Sequence, residues 1–215
     1  MNGTGRVNLS AGWSAALQEA WDAYCAGSYA IGACVIDAQG TVIARGRNRL
    51  GDPRGAEGGV ISGHDLAHAE INALLDLRDV PRPDCDGWTV LTTVQPCPQC
   101  AGAVAMSGLR ALEYAAPDPW AGCTRLLTDD PYVSRKGIRV GRAPLDVQRA
   151  ALRLAWAGLL NDQPPGTTVP GGNLYDAFHE YRDDIHAVAA LHASGTLAAL
   201  RARRAPLAEA LAVLA

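Results

Sequence analysis

Residues 88–116 read WTVLTTVQPCPQCAGAVAMSGLRALEYAA, and the order of patterns inside that stretch decides the fold. Residues 88–94 are rich in β-branched side chains, which suit a pleated and covered backbone, so they are predicted to form a strand. A helix is expected from near Cys97 to Ser107, with Gly108 placed to take the left-handed turn that ends it. Residues 111–115 then form a second short strand. Strand, helix and strand in immediate succession are the unit of an α/β layered domain with helices on both faces of a sheet.

Working outward strengthens that reading. Residues 30–36 (AIGACVI) are apolar without alternation, as in a strand covered on both faces. The turn Asp37-Ala38-Gln39-Gly40 leads into residues 42–44 and predicts a β-hairpin. Upstream, Trp13, Leu17, Ala20, Trp21 and Tyr24 recur at helical spacing over residues 10–25, with Ser10 as N-cap. Residues 49–63 hold five glycines and one proline, which predicts an irregular loop, read here as a flexible lid. The pattern from residue 64 or 65 to 78 is helical, with Ala67, Ile71, Leu74 and Leu75 on one face and Pro81 and Pro83 beyond its end. After Pro117-Asp118-Pro119 come another short helix and a weak strand at 138–140. A helix opening at Pro144 carries Leu145, Gln148, Leu152, Trp156 and Leu159 as its stripe to residue 160. Residues 161–172 read as linker. Leu174, Phe178, Tyr181, Ile185 and Val188 mark one further helix, and residues 197–213 a helical pair broken at Pro206. The chain therefore divides into a layered domain over 1–160 and a linker with a helical extension over 161–215.

Composition narrows the function. The chain has 215 residues, 48% hydrophobic and 19% charged, with a formal net charge of −3; it reads as globular. That charge argues against a generic polyanion binder, whose affinity rests on clustered Lys and Arg. No apolar run reaches the roughly 18 residues of a membrane span, and the first residues lack a signal-peptide pattern, so a cytoplasmic protein with no membrane partner is expected. In that reducing compartment Cys25, Cys34, Cys85, Cys97, Cys100 and Cys123 are buried thiols or metal ligands rather than disulfides.

Two short segments carry the chemistry: His68-Ala69-Glu70 and Pro96-Cys97-Pro98-Gln99-Cys100. Either alone is weak, since a lone Cys-x-x-Cys serves redox pairs and structural sites equally. Together, each at the start of a predicted helix, they supply one His and two Cys. Three protein ligands leave the fourth tetrahedral position open to water, as in catalytic zinc sites, and no second motif completes a closed site. In mid-helix, positions i and i+2 point about 200° apart, so His68 and Glu70 converge only in a first helical turn. The positive end of a helix also favours thiolate at Cys97 and Cys100.

The His-x-Glu…Pro-Cys-x-x-Cys pattern, with IGACVIDAQGTVIARGRNR (31–49) before it, HAEINAL (68–74) and TTVQPCPQCAGAV (92–104) around it, resembles the cytidine-deaminase-like zinc deaminases. The resemblance implies a three-layer α-β-α sandwich with a mixed sheet, a homodimer or larger assembly, and Zn2+ held by His68, Cys97 and Cys100. Glu70, not a ligand, would carry protons from water to a ring nitrogen and then to departing ammonia, while zinc makes hydroxide available near neutrality. Asn48 matches an asparagine that family members use on the substrate, and the backbone N–H of Ala69 would face the base. From the residues, Trp120 is a candidate for stacking on a flat substrate, with core packing as the alternative, and His64 either lines the pocket or caps its helix. Gln95 stands where many purine-directed members have Glu, which leaves open a different substrate contact.

Within the family, PCPQCAGAV and APDPWAG look most like guanine deaminases and tRNA adenosine deaminases, and HAEINAL also resembles deoxycytidylate deaminases. Riboflavin-pathway deaminases usually have a longer Cys…Cys spacing. From 161 to 215 six acidic residues face four basic ones, with only Arg201, Arg203 and Arg204 clustered, so a free nucleobase or nucleoside is favoured over tRNA as substrate. A non-catalytic zinc scaffold is the reading from a different class. The C-terminal helices, outside the resemblance, are expected either to cover the pocket or to build a subunit interface.

Overall fold

The computed structural model describes residues 9–55, 59–81, 85–161 and 172–215; most of the expected linker, and Pro83, lie outside the described residues. Five strands form one sheet: β1 Gly32–Ile36, β2 Val42–Arg47, β3 Thr89–Val94, β4 Ala111–Ala116 and β5 Arg139–Arg142. Their order is β2-β1-β3-β4-β5. β1 runs antiparallel to β2 and β3, while β3, β4 and β5 are mutually parallel, so the sheet is mixed.

Helices α1 (Ala11–Ala26) and α5 (Leu145–Leu160) cover one face; α2 (Ala69–Asp76) and α3 (Pro98–Ser107), with the short α4 (Arg125–Asp129) beside α3, cover the other. Successive strand side chains point to opposite faces, and the register shows it. Cys34 pairs with Leu91, and both join the core under α1 and α5; Val35 pairs with Val90, and both join the core under α3. Both faces of β1 and β3 are covered, which is why residues 30–36 carry no alternation.

Several boundaries differ from expectation. α2 begins at Ala69, with His68 as an extended N-cap, rather than at residue 64 or 65. Residues 64–67 form a separate turn closed by the Ala67 N–H on the His64 carbonyl at 2.8 Å. In α5, Leu152 and Trp156 are buried as expected, but Leu145 is 81% exposed. Val147, Ala151 and Leu154 join Leu152 and Trp156 in the core, and Leu145 sits two residues, about 200°, from Val147. The single helix expected around 174–188 is two, α6 (Asn173–Ala177) and α7 (Arg182–Ala193), joined by a 3-10 turn over His179–Tyr181. The break falls at Phe178, whose ring packs edge-on against Trp156 with centroids 5.2 Å apart.

α8 (Thr196–Ala202) and α9 (Leu207–Leu214) flank the expected break at Pro206. They and α7 share one core with α1 and α5. Trp21 donates its indole N–H to the Ala205 carbonyl at 2.7 Å. Arg153, on α5, donates to Asp184 on α7 at 2.7 Å and to the main-chain oxygens of Leu214 and Ala215. Among the described residues no helix is long and apolar enough to cross a membrane.

Candidate metal and substrate site

Two helix starts on the same face of the sheet build the site. His68 is the N-cap of α2, and Cys97 is the N-cap of α3, where Pro98 can occupy the first helical position because it has no N–H to lose. Cys100 follows within the first turn of α3. Helix α2 can come this close to the sheet because of Gly46 on β2: a Cβ there would lie 2.2 Å from the Ala73 nitrogen and 2.3 Å from the Ala69 oxygen. A larger residue at 46 would push the start of α2, and His68 with it, away from α3.

The consequence is convergence. His68 Nδ1 lies 3.5 Å from Cys97 Sγ and 3.4 Å from Cys100 Sγ, and the three ligand atoms all fall within 4.8 Å of one another. Zn–S bonds of about 2.3 Å and a Zn–N bond of about 2.0 Å at tetrahedral angles place S and N about 3.5 Å apart, so the donor set fits a zinc ion. Glu70 is 4% exposed. Its Oε1 accepts from the Thr92 hydroxyl at 3.1 Å and its Oε2 from the Cys100 thiol at 3.3 Å. Thr92 is on the α2 side of β3, two residues from Val90, so strand parity aims its hydroxyl at the α2 carboxylate.

The electrostatics agree with this chemistry. The neighbouring Cys100 thiol, followed by the His68 ring, holds the Cys97 thiol down to about 4 against the opposing effect of burial. Cys100, hydrogen-bonded to Cys97 and buried, is pushed up instead. A divalent cation bound by both sulfurs would hold them as thiolates and displace their protons. The hydrogen bond with Cys97 raises His68 above the usual imidazole range. Burial raises Glu70 above the usual carboxylate range, the direction expected of a carboxylate that must accept and then release a proton near neutrality.

A cavity of about 240 Å³ adjoins this group through His68. It opens at the carboxyl ends of β3 and β4, where Val94 and Ala116 line it, the usual location for ligands on parallel strands. Asn48 and Trp120 also line it. Asn48 is 1% exposed, and its side-chain oxygen already accepts the Leu50 N–H at 3.0 Å, so its amide N–H groups are the part suited to a ligand. Trp120 is 56% exposed, which removes the core-packing alternative. Ala69 is the first residue of α2, where backbone N–H groups have no partner within the helix. His64 does not line the cavity; its Nδ1 accepts the Leu66 N–H at 3.1 Å.

Two further expectations change. Gln95 does not line the cavity either. Its oxygen accepts the Asp118 N–H at 3.1 Å and its nitrogen donates to Thr124 at 2.8 Å, so both faces of the amide clamp the 118–124 loop. The described residues of the 49–63 loop are pinned and contribute nothing to the cavity lining. Asn72 accepts the Ile61 N–H at 2.9 Å, and Arg47 pairs with Asp52 at 2.5 Å. The wall expected of a lid comes instead from Leu152, Trp156 and Leu159 of α5, Leu174 of α6 and the following Phe178. Sequence reasoning passed over Thr92, Asn72 and Asp118. For Thr92 the available signal was a hydroxyl residue on a buried strand, which must find a partner.

The family described as "Cytidine and deoxycytidylate deaminase zinc-binding region" matches residues 8–116. A cytosine deaminase of Candida albicans is 27% identical over 119 residues, spanning 55% of this chain and 73% of that one. A tRNA-specific adenosine deaminase of Bacillus subtilis is 32% identical over 114 residues, spanning 52% of this chain and 64% of that one. Among solved structures, NE0047 in complex with 2,6-diaminopurine is similar at 26% identity and a TM-score of 0.53, covering 74% of this chain and 87% of that chain.

Proposed function

We propose, from the premise that this chain belongs to the zinc-binding cytidine and deoxycytidylate deaminase family, that it removes the exocyclic amine of a free nucleobase or nucleoside, of guanine or cytosine type, and releases ammonia. The observation that carries this reading is a His within reach of two Cys sulfurs, one of which donates to a buried carboxylate, beside a largely apolar cavity.

In this reading His68, Cys97 and Cys100 are the zinc ligands, and zinc supplies the Lewis acidity that makes hydroxide available near neutral pH. Glu70 takes a proton from the attacking water and delivers it to the ring nitrogen. The C–N bond to the amine then breaks, and Glu70 carries the second proton to the departing ammonia, so amine plus water becomes carbonyl plus ammonia. Asn48, the Ala69 N–H and Trp120 hold the base, the first two through its polar edge and Trp120 through its flat face. Leu152, Leu174 and Phe178 give the ring an apolar seat and keep bulk water away.

A small substrate is supported by the C-terminal helices that wall the cavity and by the −3 net charge. The 32% identity to a tRNA-specific adenosine deaminase favours a second reading, adenosine within tRNA. Salt-sensitive binding of an anticodon stem-loop would select that reading. The domain division near residue 160, a homodimeric assembly and a cytoplasmic location remain part of the same proposal.

The test is ammonia release over a panel of guanine, cytosine, cytidine, deoxycytidylate and adenosine, with Glu70→Ala beside the native chain. We expect one substrate to be turned over by the native chain and a loss of about 10³-fold in the variant, within the range attributed to general acid–base catalysis, with zinc content unchanged. Equal, negligible release by both zinc-loaded proteins would leave the scaffold reading in its place.

A further inference from the structure

Asp118 is the one carboxylate among the described residues that line the cavity. It follows β4, and its Oδ1 accepts the Trp120 N–H at 3.0 Å and the Ala121 N–H at 2.9 Å. Among the described residues nothing donates to its other oxygen, and that atom is not sealed from solvent. An asparagine would close the same turn with its single oxygen. Burial raises the Asp118 carboxyl above its usual range despite the two N–H groups, so the charge carries a cost that an amide would avoid. What only the carboxylate adds is a second, open acceptor.

That acceptor is fixed at the metal end of the cavity. Gln95, two residues before Cys97, donates its main-chain N–H to the Ala116 carbonyl at 2.8 Å and accepts the Asp118 N–H on its side chain at 3.1 Å. Cys123 donates its N–H to the Pro96 carbonyl at 2.7 Å. Both ends of the 118–123 loop are thereby tied to the segment that leads into the metal ligands, and the Cys97 charge acts on the Asp118 carboxyl.

We propose that Asp118 is a specificity-determining residue that accepts a ring N–H beside the amine-bearing carbon, and that it thereby selects a guanine-type base over a cytosine type. This deepens, and rests on, the reading of the cavity as a deaminase pocket. With the amine turned to the metal group, Asp118 meets the ring atom next to it. In guanine the amine-bearing C2 lies between N1–H, a donor, and N3, an acceptor. In cytosine and adenine the nitrogen next to the amine-bearing carbon has a lone pair and no hydrogen, and the other neighbour is a carbon that offers no donor either. An ionised carboxylate accepts only. N1–H therefore pairs with it, whereas a lone-pair nitrogen meets acceptor against acceptor and is rejected. Guanine N3 stays free to take the proton from Glu70, and O6 offers an acceptor to the Asn48 amide.

The test is Asp118→Asn, which keeps an oxygen for the Trp120 and Ala121 N–H groups and puts an NH2 where the open acceptor stood. Guanine is compared with 2-aminopurine, which has the same C2 amine but no hydrogen on N1. Binding of both is measured by equilibrium dialysis in zinc-loaded Glu70→Gln protein, with and without Asp118→Asn, so that ligand is not consumed. We expect Asp118→Asn to weaken guanine by about thirtyfold, as loss of a hydrogen bond to a charged group does, and to weaken 2-aminopurine by less than about threefold. Absent guanine binding, an unchanged guanine affinity, or an equal loss for both ligands overturns the proposal; an equal loss is the signature of a residue that only shapes its loop. The two readings fail separately. Glu70-dependent ammonia release from cytosine or adenosine but not from guanine removes this inference and leaves the deaminase reading in place. Release from none of the bases counts against the deaminase reading itself, and this inference falls with it.

Discussion

The two sides of the cavity are built on different principles. Around the metal group the side chains are polar and coupled: Thr92 holds Glu70, Cys100 reaches Glu70, and His68 touches both thiols. On the α5 and α6 side the contacts are apolar, with Leu152, Leu174 and Phe178 around Trp156. In the function proposed above, the first side would serve charge and proton movement and the second shape and exclusion of water. The two sides also come from separate parts of the chain. The motif lies within residues 68–100, and the apolar wall lies beyond the family match, which ends at residue 116.

The largest expected effect is on the polar side. Cys100→Ala removes one of three ligands and leaves too few protein donors for a stable site. Metal analysis after dialysis should find zinc falling from about one equivalent to under a tenth, with turnover lost in proportion. Full zinc occupancy in that variant would mean the ion is held elsewhere. On the apolar side the expected signature is different. Phe178→Ala should destabilise the fold by about 3 kcal/mol in urea titration, as for other buried aromatic truncations, and raise KM more than it lowers kcat. A pure kcat defect with unchanged stability would erase the distinction between the two sides.

How far this was legible in the sequence follows the same division. His68, Glu70, Cys97 and Cys100 were readable because their placement is local: Pro98 and the first-turn positions bring them to helix starts, whatever the rest of the chain does. Trp156 and Leu152 were visible as an apolar stripe, but a stripe does not say which of its members faces a cavity. The break at Phe178 was not legible because a tertiary contact with Trp156 overrides a continuous helical pattern. The start of α2 was misplaced because Ala67 fits the helical stripe while residues 64–67 close a turn of their own. Glycine content suggested a lid at 49–63, yet a polar side chain on a neighbouring helix, Asn72, pins that loop.

Smaller effects test what holds the apolar wall against the sheet. Burial pushes the Asp184 carboxyl up, but hydrogen bonds from Arg149 and Arg153 outweigh it and hold the group below its usual range. With the folded value depressed, the contribution is present above an unfolded value of about 3.9 and is lost as pH falls through the folded one. Asp184→Asn should therefore cost about 1.5 kcal/mol at pH 7, reduced from a fully buried pair by solvent screening. The gap to the native chain should narrow progressively as pH falls below about 4 and close only below the depressed folded value in denaturant titrations. A gap that does not narrow at all between about pH 4 and about pH 2 would assign the loss to packing rather than to ionisation. The smallest effect belongs to Gln95→Glu. The carboxylate still accepts the Asp118 N–H, and the Thr124 hydroxyl can turn to donate. Stability should change by less than about 1 kcal/mol and KM by less than twofold. A large change in KM would bring Gln95 back as a substrate contact.

Everything proposed for this site depends on a metal held by three protein atoms with a fourth corner open beside Glu70. A crystal of the zinc-loaded chain, recorded on both sides of the zinc absorption edge, tests it directly. One anomalous peak is expected about 2.3 Å from the sulfurs of Cys97 and Cys100 and about 2.0 Å from His68 Nδ1, with a non-protein oxygen as the fourth neighbour. No peak at that position, or a fourth protein ligand closing the tetrahedron, would contradict it.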